Sequence, residues 1–254
     1  VDGREAVVID GGSRPDFPTV MMKILQTGLN PSDIRSLIYQ HYDPDLCGSA
    51  PHFEAIIGRK DLQIISDNAN HMFIQHYPVT SPLVTLEKTD NVFRFSSGRT
   101  LTFFKTPYCH SPGSFITLDD ASGILFSSDL YGSYTRDYKI FLSLEEDCFL
   151  CRDYEQCPRG RNCPLVPFLK FHRDVMPSEK SLQFALATIS EIPFKMIAPQ
   201  HGCIVRQPRD ILLLSERLAA LRGVGIDGVL EDRAGGKPVV DLSAMKERLG
   251  YHDT

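Results

Sequence analysis

The chain has 254 residues, 42% hydrophobic and 23% charged, which is enough to bury one full core and too apolar for a disordered polypeptide. A formal net charge of −5 and the lack of a basic stripe argue against nucleic acid as a partner. No apolar run reaches membrane-spanning length and no signal peptide opens the chain, and together with seven unevenly spread cysteines this favours a reducing cytoplasm over a disulfide framework. The first residue is Val1, not Met, and a strand follows almost at once, so further chain is expected before it.

Glu5 to Asp10 reads as a buried strand ending at the flexible pair Gly11-Gly12. Phe17, Val20, Met21, Ile24 and Leu25 have helical spacing, and Gly28 stops that helix. A turn at Asn30 to Asp33 leads to a strand over Ser36 to Gln40. Gly48 to Gly58 reads as one helix and Leu62 to Ser66 as a short strand. From Leu83 to Phe104 the pattern turns all-β, with strands at 84–86, 92–95 and 101–104. Phe115 to Leu118 and Gly123 to Phe126 form a hairpin. A helix from Ser178 to Ile192, capped by Ser178, a strand at Met196 to Ala198 and a Leu-rich helix over Arg209 to Arg222 follow. The remainder is polar and glycine-rich, with a short helix expected over Leu242 to Leu249.

The first strand-end motif is His41-Tyr-Asp43-Pro-Asp45-Leu46-Cys47-Gly48. In extended backbone, residues i, i+2 and i+4 share a face, so His41, Asp43 and Asp45 gather an imidazole and two carboxylates in one place. Clustered carboxylates repel unless a cation neutralises them, which points to metal. Three further segments repeat the order of strand, candidate ligand, then glycine or proline: Thr106-Pro-Tyr-Cys-His110-Ser-Pro-Gly113, Phe126-Ser-Ser-Asp129-Leu-Tyr-Gly132 and Ala198-Pro-Gln-His201-Gly202.

The ligand order, the 19-residue step from His110 to Asp129 and the strand-end placement resemble the metallo-β-lactamase superfamily, as does Asp10 in Val8-Ile-Asp10-Gly-Gly12. The superfamily's first motif is usually H-x-H-x-D-H. Here Asp43 and Leu46 replace two of its histidines. A carboxylate at the second position resembles the flavodiiron and oxygen-binding di-iron branch, where it is normally Glu. Phe171-His-Arg-Asp-Val-Met-Pro-Ser178 and Met196-Ile-Ala-Pro-Gln-His-Gly202 look like that branch too. The resemblance implies an α+β, four-layer αββα sandwich over residues 1–222, with two mixed sheets face to face, helices outside and a C-terminal tail over 223–254.

By the same resemblance His41, Asp43 and His110 hold one metal, Asp45 and His201 the other, and Asp129 bridges them. Imidazole suits zinc and iron alike, but an oxygen donor in place of nitrogen favours iron. Leu46 cannot ligate, so the second metal keeps open positions for dioxygen, water or substrate. The implied protein is a non-haem di-iron protein that binds, senses or reduces dioxygen, an oxidoreductase if it turns over dioxygen or nitric oxide. The alternative is a phosphodiesterase-like di-zinc hydrolase, whose relatives usually keep the histidines replaced here. Zinc or manganese are the alternative ions. Flavodiiron reductases draw electrons from a flavin domain, and none follows here, which favours binding or sensing unless a partner protein supplies electrons. A signalling partner and a homodimer are compatible with this reading. His172 is expected beside the metal ligands, where it could hydrogen-bond a ligand or bound oxygen, or else is a partly buried loop histidine. Tyr42 and Tyr108 either wall the pocket or serve as core. Cys47, Cys109 and Cys203 lie within two residues of ligands and are read as small buried hydrophobes.

Four cysteines, Cys148, Cys151, Cys157 and Cys163, fall in a segment (about 146–166) that looks like an insertion relative to the family. Their thiols could bind a zinc ion or an iron–sulfur cluster, pair as disulfides or remain free.

Overall fold

A computed structural model of the chain describes residues 1–231 except 137, 152 and 155, together with 243, 245, 248 and 249. The first half builds a four-stranded sheet in the order β1 (Ala6–Ile9), β2 (Ile34–Ile38), β3 (Gln63–Ser66), β4 (Leu83–Thr85). Every pair in it is parallel, with Val7 opposite Ser36 and Leu37 opposite Ile64. The helices α1 (Phe17–Gln26), α2 (Pro44–Cys47), α3 (Ala50–Ile57) and α4 (Asn68–Ile74) lie in its connections. The second half builds a five-stranded sheet of β5 (Val92–Arg94), β6 (Thr100–Lys105), β7 (Phe115–Asp119), β8 (Ile124–Phe126) and β9 (Met196–Ala198), antiparallel until the parallel β8–β9 pair. Between β8 and β9 run α5 (Glu146–Leu150), α6 (Leu165–Val175) and α7 (Glu179–Ser190), and after β9 come α8 (Pro208–Ala219) and α9 (Ile226–Glu231).

Strand alternation sorts the side chains into layers. Ala6 and Val8 face Met21 of α1 and Phe53 of α3, whereas Val7 and Ile9 face inward. Ile38 and Ile65 meet Phe95, Leu101, Phe103 and Phe115 between the sheets. Phe103 and Phe115 pack edge to face there at 5.5 Å. On the far side Ile116, Leu118 and Leu125 pack with Leu169, Leu182 and Leu214. The layers are therefore helix, sheet, sheet, helix, as the resemblance implied.

The structure revises several expectations. The first sheet is wholly parallel, not mixed, and β4 belongs to it instead of to an all-β block. The helix expected over 48–58 is α3, which begins at Ala50 because Gly48 and Ser49 form the turn after α2. Ser49 spends its hydrogen bonds on the turn after β1, donating from N to Gly12 O (3.1 Å) and from Oγ to Gly11 O (2.9 Å). Helix α4 carries no strong periodicity, but Asp67 caps it by accepting from Ala69 N–H at 2.8 Å. The segment ahead of Ser178 is helical as α6, its start masked in the sequence by Pro164 and Pro167. Val224 is buried against the helices of the second half. The helix expected over 242–249 falls largely outside the described residues.

Candidate metal centre

The strands that carry candidate ligands deliver them to one edge of the sandwich. Chain emerging from β2 gives His41, Asp43 and Asp45, and the β6–β7 loop gives His110. The turns after β8 and β9 give Asp129 and His201. Asp43 and Asp45 do not share the face of an extended run, as the alternation argument held. Asp43 is the N-cap of α2, and Asp45 stands in its first turn. Pro44 at the first helical position turns the chain there, so the two carboxylates serve opposite sides of the site.

His41 Nε2 lies 3.8 Å from Asp43 Oδ2 and 3.7 Å from Asp129 Oδ2. His110 Nε2 lies 3.2 Å from Asp43 Oδ2 and 3.1 Å from the same Asp129 oxygen. The other Asp129 oxygen, Oδ1, is 3.6 Å from His201 Nε2, which is 3.0 Å from Asp45 Oδ2. All six predicted ligands thus converge, divided three and two across the oxygens of Asp129. His41, Asp43 and His110 present ligand atoms within 4.8 Å of one another, the sole such group among the described residues. His41 Nε2 and Asp129 Oδ1 are buried and have no hydrogen-bond partner. Orphaned lone pairs inside a protein carry a large penalty, and a cation on each side of Asp129, one at His41 and one at Oδ1, would remove it, so these residues fit a two-metal site.

Electrostatics agree. Burial alone would lower the His110 pKa, but the Asp129 and Asp43 carboxylates override it and raise it to about 10. The hydrogen bond from His201 holds Asp45 below the usual carboxylate range. Burial lowers the His41 pKa, so its Nε2 lone pair is open to a metal while Nδ1–H donates to Ser128 Oγ at 2.9 Å. Leu46 is 0% exposed in the helix-side core, facing away from the site.

Three supporting residues escaped the sequence reading or were only noted there. Asp10 accepts from Gln40 N–H (2.9 Å) and Gln40 Nε2 (2.8 Å), fixing the backbone beside His41. Ser128 orients the His41 ring from a left-handed conformation, φ 54°. Asn70 of α4 donates to Gly113 O at 2.8 Å and so holds the loop that carries His110. A Cβ at Gly113 would stand 2.4 Å from Asn70 Oδ1, so only glycine fits. Asp10 ends a strand and Ser128 adjoins a ligand, which are weak signals. Asn70 gave no signal, because its partner lies in another element.

His172 bonds backbone instead of a ligand or bound oxygen. It sits within α6, is 0% exposed, accepts from Tyr131 N–H at Nε2 (3.0 Å) and donates from Nδ1 to Phe168 O (2.8 Å). Both nitrogens serve backbone, so it neither meets a ligand nor lies in a loop. It holds the turn two residues after Asp129 from behind. Cys47 and Cys109 are buried among apolar groups, Cys109 against Met176. Cys203 is half-buried on the wall of a cavity of about 1330 Å³ that also meets Tyr131, Ser133 and Phe168. Tyr42 stacks on Phe73 at 4.0 Å, and Tyr108 is exposed. The thiols of Cys148, Cys151, Cys157 and Cys163 are free and do not form a group as tight as the histidine–aspartate one.

Residues 1–202 match the family model described as ODP family beta lactamase. The chain is similar to the Type A flavoprotein fprA of Rhodobacter capsulatus, 28% identical over 88% of this chain and 49% of that protein. It is also similar to the anaerobic nitric oxide reductase flavorubredoxin of Salmonella arizonae, 28% identical over 80% of this chain and 40% of that protein. The chain therefore spans half or less of these curated relatives. Its fold superposes on the apo chemotaxis sensor ODP from T. denticola with TM-score 0.69 at 24% identity, covering 90% of this chain and 87% of that one. A flavo di-iron protein variant from Thermotoga maritima gives TM-score 0.68 at 24% identity over 85% of this chain and 49% of that one. No helix among the described residues is long and apolar enough to cross a membrane.

Proposed function

The chain belongs to the ODP family beta lactamase group, and from that membership we propose that it is a non-haem di-iron protein that binds, senses or reduces dioxygen or nitric oxide. One observation carries the reading: the two oxygens of Asp129 face separate ligand sets, His41 and His110 on one side and His201 on the other. His41, Asp43 and His110 would hold the first iron, and Asp45 and His201 the second. Two ferrous ions held there would supply open coordination positions and electrons for a diatomic ligand.

The chain's own residues prepare that site. Ser128 fixes the ring of His41, so its free nitrogen is aimed before any ion arrives. Asp43 supplies oxygen where the zinc hydrolases carry nitrogen, which favours the harder ion. Leu46, turned into the core, leaves the second ion one ligand short of the superfamily pattern. The buried, neutral His172 keeps the Tyr131 turn closed behind Asp129. The relatives named for flavins and nitric oxide reduction support an electron-donor partner, and the chemotaxis sensor supports a signalling one. A homodimer accommodates either.

Purification without oxygen, metal analysis and exposure to air test the proposal. Two irons per chain and new visible absorption on contact with air are expected. A colourless protein that holds two zinc ions and cleaves a phosphodiester would overturn it in favour of hydrolysis.

A further inference from the structure

Beside His201 lies a cavity of about 1330 Å³. Drug-sized ligands occupy pockets of roughly 300–1,000 Å³, so this space takes an organic molecule and not only water. None of the six candidate metal ligands lines it, so it is distinct from the metal centre. Backbone bonds hold its walls. Leu142 N–H donates to Ile204 O and Ile204 N–H to Ile140 O, both at 2.9 Å, which fastens the chain ahead of α5 to the chain after β9. Ser133 N–H donates to His201 O (3.2 Å) and Tyr134 N–H to Pro167 O (3.3 Å), which fastens the turn after β8 to the end of β9 and to α6.

The lining has two characters. Tyr131, Phe168, Val205 and Leu214 are buried and give it an apolar floor. The rim is cationic: Arg136, Lys139, Arg159 and Lys170 line the space, against the single carboxylate of Glu145 among the described residues. Glu145 is spent on Arg159 at 3.0 Å, and Lys170 pairs with Asp174 at 2.6 Å. Arg136 and Lys139 are exposed and make no salt bridge among the described residues. The first turn of α6 borders the same space through Pro164, Val166 and Pro167, and no side chain caps it. The partial positive charge of an uncapped helix start adds to that of the cations. This concentration of positive charge runs against the chain's net charge of −5.

We propose that the cavity binds an amphipathic organic anion. Its carboxylate, sulfonate or phosphate sits at the rim formed by Arg136, Lys139 and the start of α6, and its apolar body lies over Tyr131, Phe168, Val205 and Leu214. A purely apolar guest would leave the cations without a partner, and an inorganic anion would leave the apolar floor in water. The occupant meets Tyr131, two residues beyond Asp129, and Cys203, two residues beyond His201. No metal is needed to form the site, so it does not depend on the di-iron reading.

Two dyes test this on the full chain, as purified and after chelation. Anilinonaphthalene sulfonate is an amphipathic anion, and phenylnaphthylamine has the same skeleton without the sulfonate. At low salt the anion should bind about tenfold more tightly than the neutral dye, with the gap closing as salt rises. Val166→Glu sets a carboxylate at the cavity wall and in the first turn of α6. A carboxylate there suits the helix dipole, so stability should hold while sulfonate binding falls about tenfold and neutral-dye binding does not. Arg136→Gln combined with Lys139→Gln, both at the surface, should act in the same direction. Bound sulfonate should slow iodoacetamide labelling of Cys203, which lines the cavity, and leave that of Cys151, a half-buried thiol outside it, unchanged. Peptide mass spectrometry reads this directly. Iron content should be the same in all variants, which separates this outcome from that of the metal centre. Equal affinity for the two dyes, sulfonate binding unaltered in the variants, or unprotected Cys203 would each overturn the proposal. Sedimentation with phosphatidylglycerol vesicles without binding of free sulfonate would also overturn it, in favour of a membrane surface.

Discussion

Asp129 is where the two halves of the site meet, so its removal should act on both. Asp129→Ala is expected to lose both ions, while Asp45→Ala should spare the His41–Asp43–His110 ion, and iron counts per chain separate the outcomes. Ser128→Ala leaves every ligand intact but frees the His41 ring, and roughly tenfold weaker metal binding is expected by titration. His172 gives a pH prediction. Burial lowers its pKa to about 4, so the unfolded chain binds the proton more tightly. Its contribution to stability is fully present above about pH 6.5 and is lost as pH falls towards 4. In metal-free protein, His172→Gln should therefore remove on the order of 3 kcal/mol of acid sensitivity across that window, read from urea unfolding at several pH values. An unchanged pH slope would show that the ring is not held neutral.

At the scale of elements, each helix near the site works through one or two capping or clamping contacts. Ser178 accepts from Ser181 N–H at the start of α7, and Ser178→Ala should lower stability by about 1 kcal/mol without touching metal content. Helix α4 acts more directly. Asn70→Ala would strip a hydrogen bond from both Gly113 O and Ser66 Oγ, at about 2 kcal/mol of stability. Because Gly113 closes the His110 loop, the ion on that side should be weakened more than the ion at His201. Equal losses at both ions would mean the clamp is purely structural. Helix α2 explains why the first motif works despite not being extended: its cap and first turn aim Asp43 and Asp45 at different partners.

At the scale of the molecule, the site ties one sheet to the other. His41, Asp43 and Asp45 come from the parallel sheet, and His110, Asp129 and His201 from the second one. Bound metal should therefore stabilise the whole sandwich, by about 4 kcal/mol when free metal exceeds its Kd a thousandfold. Chelation should lower the melting temperature, and a change confined to local exchange at the loops would contradict this. Binding should also release protons. Without metal the Asp129 and Asp43 carboxylates raise the His110 pKa to about 10, so near neutral pH that ring holds a proton that a metal must displace, and the hydrogen bond to Asp45 raises the His201 pKa as well. Measured affinity should then rise with pH through the neutral range.

The candidate ligand types, their order and their strand-end placement were legible in the sequence, because strand and turn residues are written locally in periodicity and in glycine and proline. It marked the αββα layering only through its resemblance to a known family, and it showed β1 to β3 as short apolar runs. Relations between segments distant in the chain emerged only from the packed fold. These include the two oxygens of Asp129 turned to opposite partners, the Asn70 clamp on Gly113, and His172 spent on backbone instead of on a ligand. None of these leaves a local pattern, since hydrogen-bond direction is fixed by packing between sheets and helices that local propensity does not encode.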